Sequence, residues 1–405
     1  MPWPTFKLFW ILLSKGGVAM PTLATKEYCT GCTACASACP KGCITMAPDE
    51  YGFLCPVIDE DKCVSCGLCE KVCPVIAPPK QSNNAPRAYA AYSRDEATRL
   101  ESSSGGVFTE LAKAVLQQGG AVFGAAYNMK FDVVHICVET EDELAKLRGA
   151  KYAQSDLHGV FAQIKQKLDA GQRVLFSGTP CQVGGLKAFL RKDYQNLMTV
   201  DFVCHSVPSP MAWREYVKYR AEQDNQGTMP ATINLRSKQT GWTNYQYSNL
   251  FTYEDGHVHT AKSGESLYMK LFVGGYISRA SCVNCQFKGY NRVSDLTIGD
   301  FWCIWDIAPE MDDNKGTSVM LVHTTKGAGL LESICDRLVT KPVTLEEASR
   351  QNQAMLKCSK PNERRCEVLE LIRNGRIAEC DKWFPHTKET ALQKIKKTIK
   401  TLLRR

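Results

Sequence analysis

The chain has 405 residues, 44% of them hydrophobic and 23% charged, which is enough apolar material for two or three globular cores and excludes a disordered or fibrous chain. The formal net charge is +8, but Lys388 to Arg405 alone holds seven basic residues and one acid, so the rest is close to neutral and a nucleic-acid-binding body is not expected. Cysteine is the outlier: there are 20, half of them between Cys29 and Cys73.

Residues 1–24 read as a non-core extension. The apolar run Leu8 to Leu13 is too short to span a bilayer and lacks a small-residue cleavage pattern after it. It reads as a non-native or misassigned start, with Met20 the true beginning, or as a short packing or membrane-surface segment. No other run approaches membrane length, and a cysteine-rich chain of this size without an export signal suits a reducing compartment, so a cytoplasmic location is expected.

Residues 25–78 contain two copies of C-x2-C-x2-C-x3-C-P: Cys29, Cys32, Cys35, Cys39 and Pro40, then Cys63, Cys66, Cys69, Cys73 and Pro74. Three thiolates spaced three apart fit one tight loop around a corner of an iron–sulfur cubane, and the proline stops a helix from running straight through the fourth. In this two-cluster ferredoxin pattern the fourth cysteine serves the other cluster. One 4Fe-4S cluster is therefore assigned to Cys29, Cys32, Cys35 and Cys73, and a second to Cys63, Cys66, Cys69 and Cys39. Structural zinc, the competing reading, prefers two pairs of ligands with a gap between them. Cys43 and Cys55 fall outside the pattern and read as packing thiols. Two neighbouring clusters make a one-electron wire, which needs a group handling electron pairs at one end.

After a Pro/Asn-rich linker, residues 79–225 alternate between strands and helices. Strands are expected at 88–93, as a pair joined by NMKFD, at RVLFSGT and at LMTVDFVC. Helices are expected from Gly105 to Gly119–Gly120, near 156–169, over QVGGLKAFLR and over SPMAWREYVKYRAEQ. Residues 226–385 turn more β-rich and aromatic and close with helices around Leu330 and Leu345. The fold class is thus a two-cluster ferredoxin-like domain, a mixed α/β domain (α+β or α/β) and a helical C-terminal tail over 386–405.

Ligands of such sheets gather beyond the carboxyl ends of the strands. Three loops fit that position. ESSSGGVF, with Ser103, Ser104, Gly105 and Gly106, could cradle a pyrophosphate at a helix start or could be an ordinary serine cap. SGTPCQVGG carries Cys181, and VCHSVPSP carries Cys204 and His205, the histidine reading as structural. With Cys282 and Cys285 from CVNC, these two cysteines could hold a third cluster or be scattered core thiols. NRVSDLTIGDFW ends a buried strand at Gly299 and Asp300, placing a carboxylate beside a tight turn.

The combination of SSSGGVF, GAKYAQS, SGTPCQVGGLKAFL, DFVCHSVPSP and RVSDLTIGDFW resembles the family of coenzyme F420 hydrogenase/dehydrogenase beta subunits, in the form that carries a fused N-terminal dicluster domain. The resemblance covers about residues 25 to 385 and implies FAD together with iron–sulfur clusters. On it, Ser103, Ser104, Gly105 and Gly106 form the flavin-phosphate loop. Lys151 and Tyr152 sit near the flavin ring, with the Lys151 charge stabilising the reduced flavin. Gly299 and Asp300 border the flavin, and Cys181, Cys204, Cys282 and Cys285 ligate a further 4Fe-4S cluster. Two departures bear on the substrate face: Ser206 stands where a glycine is usual, and Cys303 follows GDFW where small residues are common.

The function expected is an oxidoreductase in which FAD exchanges a hydride with an organic two-electron substrate and single electrons with the clusters, which connect to a ferredoxin or a partner subunit. The rival readings are an electron-transfer subunit with no substrate pocket and a zinc-bearing scaffold. The basic tail, with Leu392, Ile395, Ile399 and Leu402 on one helical face, reads as a solvated helix in preference to a membrane-surface contact.

Overall fold

The structure, a computed structural model, describes residues 20–81 and 85–384. The apolar run at Leu8 and the basic tail over 386–405 lie outside those residues. Among the described residues no helix is long and apolar enough to cross a membrane.

Each cysteine run folds as a loop followed by a single short helix, Ala34–Ala38 in the first and Leu68–Lys71 in the second. The two loops repeat each other in backbone conformation. Gly31 and Thr33, and their counterparts Ser65 and Gly67, all lie in the left-handed region at φ 67°, 66°, 52° and 67°. A β-branched threonine there costs ~1–3 kcal/mol and persists only where its surroundings hold it. Strands β1 (Ile44–Pro48) and β2 (Leu54–Ile58) form an antiparallel pair between the loops, with Ile44 opposite Ile58. Leu23, Ile44 and Ile58 surround the thiols of Cys43 and Cys69 in a small core.

The remainder is built on one large sheet. Its strands are β3 (Arg87–Ser93), β4 (Ala121–Tyr127), β5 (Val133–Val138), β6 (Val174–Gly178), β7 (Leu197–Phe202), β11 (Leu296–Asp300), β12 (Ser318–Val322) and β13 (Leu338–Val343). They lie in the order β13-β3-β12-β11-β7-β6-β4-β5. The centre, β4-β6-β7-β11, is parallel, and the flanking pairings are antiparallel. The central strands read as continuous apolar runs because both faces are covered. On one face Leu111 and Val115 of helix Val107–Leu116 pack on Val122, Leu175, Val200 and Leu296. On the other, Phe161, Ile164, Val183 and Leu186 pack on Phe123 and Phe176. The same second cluster includes Cys32, Ala34 and Val72, so the ferredoxin-like unit is seated on that face of the sheet.

A smaller antiparallel sheet, β8 (Thr232–Ser237), β9 (Ser248–Thr252) and β10 (Val258–Lys262), packs its aromatic side with helices Pro210–Asn225, Leu267–Val273 and Arg365–Arg373 around Trp213, Tyr216, Phe251, Tyr268 and Leu369. Between residues 79 and 225 the strands fall where the alternation placed them. Two helices are shorter than expected. The first ends at Leu116, and the following turn is closed by the Gly120 N–H donating to the Val115 carbonyl at 3.0 Å. The second begins at Val160, behind Gly159 at φ 73°. The main sheet draws strands from both sides of residue 225, so the segments 79–225 and 226–385 share it.

The motif SGTPCQVGG has a local explanation. Thr179 and Gln182 form a reciprocal capping box, with Pro180 in the first helical position, so helix Pro180–Leu190 starts directly at the end of β6. Gly185 lies one turn on, where an added Cβ would stand 2.8 Å from both Cβ and Sγ of Cys32. Gly185→Val is therefore expected to push the first cysteine loop off the sheet, lowering unfolding free energy by ~1–3 kcal/mol. An unchanged urea midpoint with an unchanged slope would refute that packing.

Candidate functional site

The parallel strands β6, β7 and β11 end together, and beyond them lies a cavity of about 2220 Å³. That exceeds the ~300–1,000 Å³ usual for a small-molecule pocket. After β6 the helix cap contributes Thr179 and the first helical turn Cys181, the loop after β7 Cys204, His205 and Ser206, and β11 Gly299 and Asp300. Ser103 and Ser104, Lys151 and Tyr152, and Arg236 of β8 complete the part that concerns the predicted residues.

Arg236 joins these segments. Its guanidinium makes a fork with Asp300, Nη1 to Oδ2 and Nη2 to Oδ1 at 2.7 Å each. It also donates to the Ser103 carbonyl and the Tyr152 hydroxyl at 3.1 Å, and it stacks at 4.0 Å over the Tyr247 ring. Burial opposes the charge, but Asp300 holds the guanidinium firmly protonated. Its Nε has no partner among the described residues. Sequence reasoning missed this residue: NLRS offers only a basic side chain inside a strand, and nothing local shows that three distant segments converge on it.

The serine–glycine loop divides into two parts. Gly105 does not line the cavity. Its N–H donates to Ser318 Oγ at 2.9 Å, and an added Cβ would lie 2.4 Å from the Ala91 carbonyl oxygen, so a sheet contact requires its smallness. Ser104 Oγ donates to the Thr317 carbonyl, and the Ser104 carbonyl accepts from Lys238. Ser103 Oγ, in contrast, is buried without a partner among the described residues, and Gly106 at φ 86° turns the chain into the helix at the cavity wall.

Lys151 borders the cavity, but its ammonium donates to the carbonyls of Lys146, Arg148 and Gly149 at 2.7–3.2 Å, and burial brings its pKa down to about 7. Tyr152 packs on Phe272 at 5.0 Å. His135, not singled out in the sequence, also faces the cavity. Its Nε2 meets the Ser177 carbonyl at 3.0 Å, its Nδ1 has no partner among the described residues, and burial takes its pKa to about 4. His205 lies edge-on to Phe272. Of the two departures, Ser206 lines the cavity but bonds to Ser278 Oγ at 2.7 Å. Cys303 is fully buried outside the cavity lining.

The cysteines fall into three neighbourhoods. Burial and then Cys32 and Cys73 push Cys35 up to about 12, and Cys73 likewise acts on buried Cys32. Cys39, Cys63, Cys66 and Cys69 line one small cavity together with Cys43, whose Sγ is 3.2 Å from that of Cys39. Cys181, Cys204, Cys282 and Cys285 act on one another, and burial takes Cys204 and Cys282 to about 12. Among the described residues no three His, Cys, Asp or Glu side chains converge closely enough to hold a single ion. A cubane differs in that its four thiolates bind four separate irons. Cys181 also feels Cys32, the residue seated on Gly185, so the first and third neighbourhoods adjoin.

Comparison with known proteins gives a consistent picture. Residues 88–162 match the N-terminal part, and residues 171–347 the C-terminal part, of the family described as "Coenzyme F420 hydrogenase/dehydrogenase, beta subunit". Residues 28–77 match a 4Fe-4S dicluster domain. The coenzyme F420-dependent sulfite reductase of Methanocaldococcus jannaschii is 31% identical over 358 residues, 85% of this chain and 52% of that protein. A subunit of the F(420)H(2) dehydrogenase of Methanosarcina mazei is 24% identical over 167 residues, 38% and 46% respectively. A 7Fe ferredoxin of Hydrogenibacillus schlegelii is 38% identical over 60 residues, 15% of this chain and 64% of that protein. The chain spans about half the length of the first two.

The Arg236–Asp300 fork is open to a direct test. Arg236→Met leaves the Asp300 carboxylate without its partner and should cost ~3–5 kcal/mol, whereas Arg236→Met with Asp300→Leu should regain part of the loss. Urea denaturation of the two variants measures both, and strictly additive losses would show that the pair does not couple.

Proposed function

The chain belongs to the family of coenzyme F420 hydrogenase/dehydrogenase beta subunits and carries a 4Fe-4S dicluster domain, as an iron–sulfur redox protein; on that premise we propose that it is an FAD-dependent oxidoreductase passing electrons between its clusters and an organic two-electron substrate. The observation that carries this reading is that Cys181 and Cys204 open into the same cavity as Ser103, Arg236 and Asp300. One space therefore meets both a group of thiols and a polar cradle.

The cavity suits a polar cofactor of dinucleotide size. Among the described residues, buried atoms on its lining side chains stand without partners: Ser103 Oγ, Arg236 Nε, His135 Nδ1 and Gln154 Nε2. Such atoms are costly unless a ligand or water meets them. Ser103 and Gly106 would bind the phosphates at the start of helix Val107–Leu116, with Arg236 fixing the loop from behind. Lys151 and Tyr152 would flank the ring, Lys151 closing its own loop through three carbonyls. Gly299 keeps β11 flush with Val203, where a Cβ would stand 2.8 Å from Val203 Cγ2, leaving Asp300 to orient Arg236. FAD would supply the exchange between paired and single electrons.

Cys29, Cys32, Cys35 and Cys73 would hold the inner ferredoxin-type 4Fe-4S cluster, and Cys63, Cys66, Cys69 and Cys39 the outer one. Cys181, Cys204, Cys282 and Cys285 would hold a third at the cavity. Exposed Cys66 makes the outer cluster the contact for a ferredoxin or a redox partner subunit. The relatives named for coenzyme F420 make its reduced form the first substrate to screen. The large cavity favours this reading over an electron-transfer subunit without a pocket.

Protein purified without oxygen should be brown and contain both iron and flavin. Cys282→Ser should remove one cluster's share of iron and leave the remainder. Ser103→Leu should weaken flavin retention at least about tenfold with iron unchanged. Iron assay and flavin absorbance of the released cofactor decide it: iron with no flavin in the parent protein overturns the FAD assignment, and iron unaltered in Cys282→Ser overturns the third cluster.

A further inference from the structure

Among the described residues Arg279 is a buried cation without a carboxylate. It is 2% exposed. Nε donates to the Cys29 carbonyl at 2.7 Å, and Nη1 donates to the Leu54 carbonyl at 3.0 Å and to Gln154 Oε1 at 3.2 Å. Nη2 donates to Cys55 Sγ at 3.3 Å, and the Phe53 ring centre lies 5.6 Å from Cζ. The other deeply buried arginines face acids: Arg99 faces Asp313, Arg236 faces Asp300, and Arg292 lies 3.8 Å from Asp201. An unpaired buried guanidinium is expensive, and neutral acceptors only partly offset it. Some negative charge should therefore be its counterpart.

The backbone shows where that charge belongs. The Arg279 N–H donates to the Val207 carbonyl at 2.8 Å, its carbonyl accepts from the Cys282 N–H at 3.1 Å, and the Val207 N–H reaches Cys282 Sγ at 3.3 Å. The residue is thus anchored beside the third thiol group and extends its side chain into the first cysteine loop. Its charge acts on the thiols of Cys29, Cys32, Cys55 and Cys282. Its side-chain hydrogen bonds are all with the first loop, β2 and Gln154, and none is with the second cysteine run, where Cys66 is open to water.

We propose that Arg279 is the fixed counter-charge of the inner end of the electron path, raising the reduction potential of the iron–sulfur group on Cys29, Cys32, Cys35 and Cys73 above that of the group on Cys39, Cys63, Cys66 and Cys69. Reduction adds one negative charge and needs no proton or bond change here, so a nearby dry cation favours the reduced state by Coulomb attraction alone. The outer group, beside exposed Cys66, is screened by solvent. The two potentials therefore step toward the cavity. This inference rests on those cysteines holding clusters, as proposed above. Arg279 acts as a positioning and poising residue and touches no substrate.

The test is a redox titration of the whole anaerobic protein followed by electron paramagnetic resonance, with iron measured on each sample. Arg279→Gln should keep its iron and make one-electron reduction of the inner group at least about tenfold less favourable, a shift of about 59 mV to more negative potential, leaving the outer group unmoved. Arg279→Lys, which keeps the charge, should shift by less than half as much. Gln154→Glu sets a carboxylate against the guanidinium and loses no hydrogen bond within the protein, because Gln154 Oε1 is the acceptor and Nε2 has no partner among the described residues. It should move the inner potential in the same direction, and it decides the matter if Arg279→Gln fails to hold iron. An inner potential unchanged in Gln154→Glu and in an iron-replete Arg279→Gln overturns the proposal, as does a shift in Arg279→Lys equal to that in Arg279→Gln. A parent protein without iron would instead overturn the cluster assignment beneath it.

Discussion

The contact between Cys32 and Gly185 governs how the two halves of this chain relate. A helix that starts at the end of β6 by a capping box carries a glycine one turn in, and the first cysteine loop rests on that bare backbone. Any side chain at 185 would separate them. Because the same helix begins with Cys181 at the cavity, the seat that holds the ferredoxin-like unit also brings its inner thiols beside the third thiol group. Packing and the proposed electron path thus share one requirement, close approach, and one small residue satisfies both.

The cavity wall depends on a second long-range tie. Arg236 comes from the small sheet, Asp300 from the end of β11, Ser103 from the loop before helix Val107–Leu116 and Tyr152 from the segment after Gly149. A planar guanidinium satisfies these acceptors in one fork, which a lysine could not do. The small sheet is thereby held against the carboxyl ends of β6, β7 and β11, and the space between becomes a cavity with defined walls instead of a cleft between mobile layers.

Much of this was legible in the sequence because it depends on local spacing. The two cysteine runs, the strand alternation and the clustering of loops at strand ends all follow from residues near one another in the chain. The resemblance then linked Ser103, Lys151, Tyr152, Gly299 and Asp300, which do line one cavity. Arg236, Arg279 and His135 were not legible, since each gains its meaning from partners 42 to 250 residues away. The smallness of Gly105 was read as room for an anion, whereas it serves a contact with Ala91 and Ser318. A glycine's reason is visible only when its neighbours across the fold are known. Cys303 shows the same limit: a residue that looked placed to alter the substrate face lies buried outside the cavity lining.

The position of β3 has a consequence for biogenesis. This strand, starting at Arg87, pairs only with β12 and β13, which end at Val343. As the polypeptide emerges from the ribosome, the strand directly after the cysteine runs must wait for some 230 residues of further translation, beginning with β12 at Ser318, before it finds a neighbour. The landing surface for the cysteine loops is completed late as well, since Arg279, which holds the Cys29 and Leu54 carbonyls, and Val293, packed in the same cluster as Cys32, both lie far beyond residue 190. The cysteine runs therefore spend most of synthesis without their full set of packing partners.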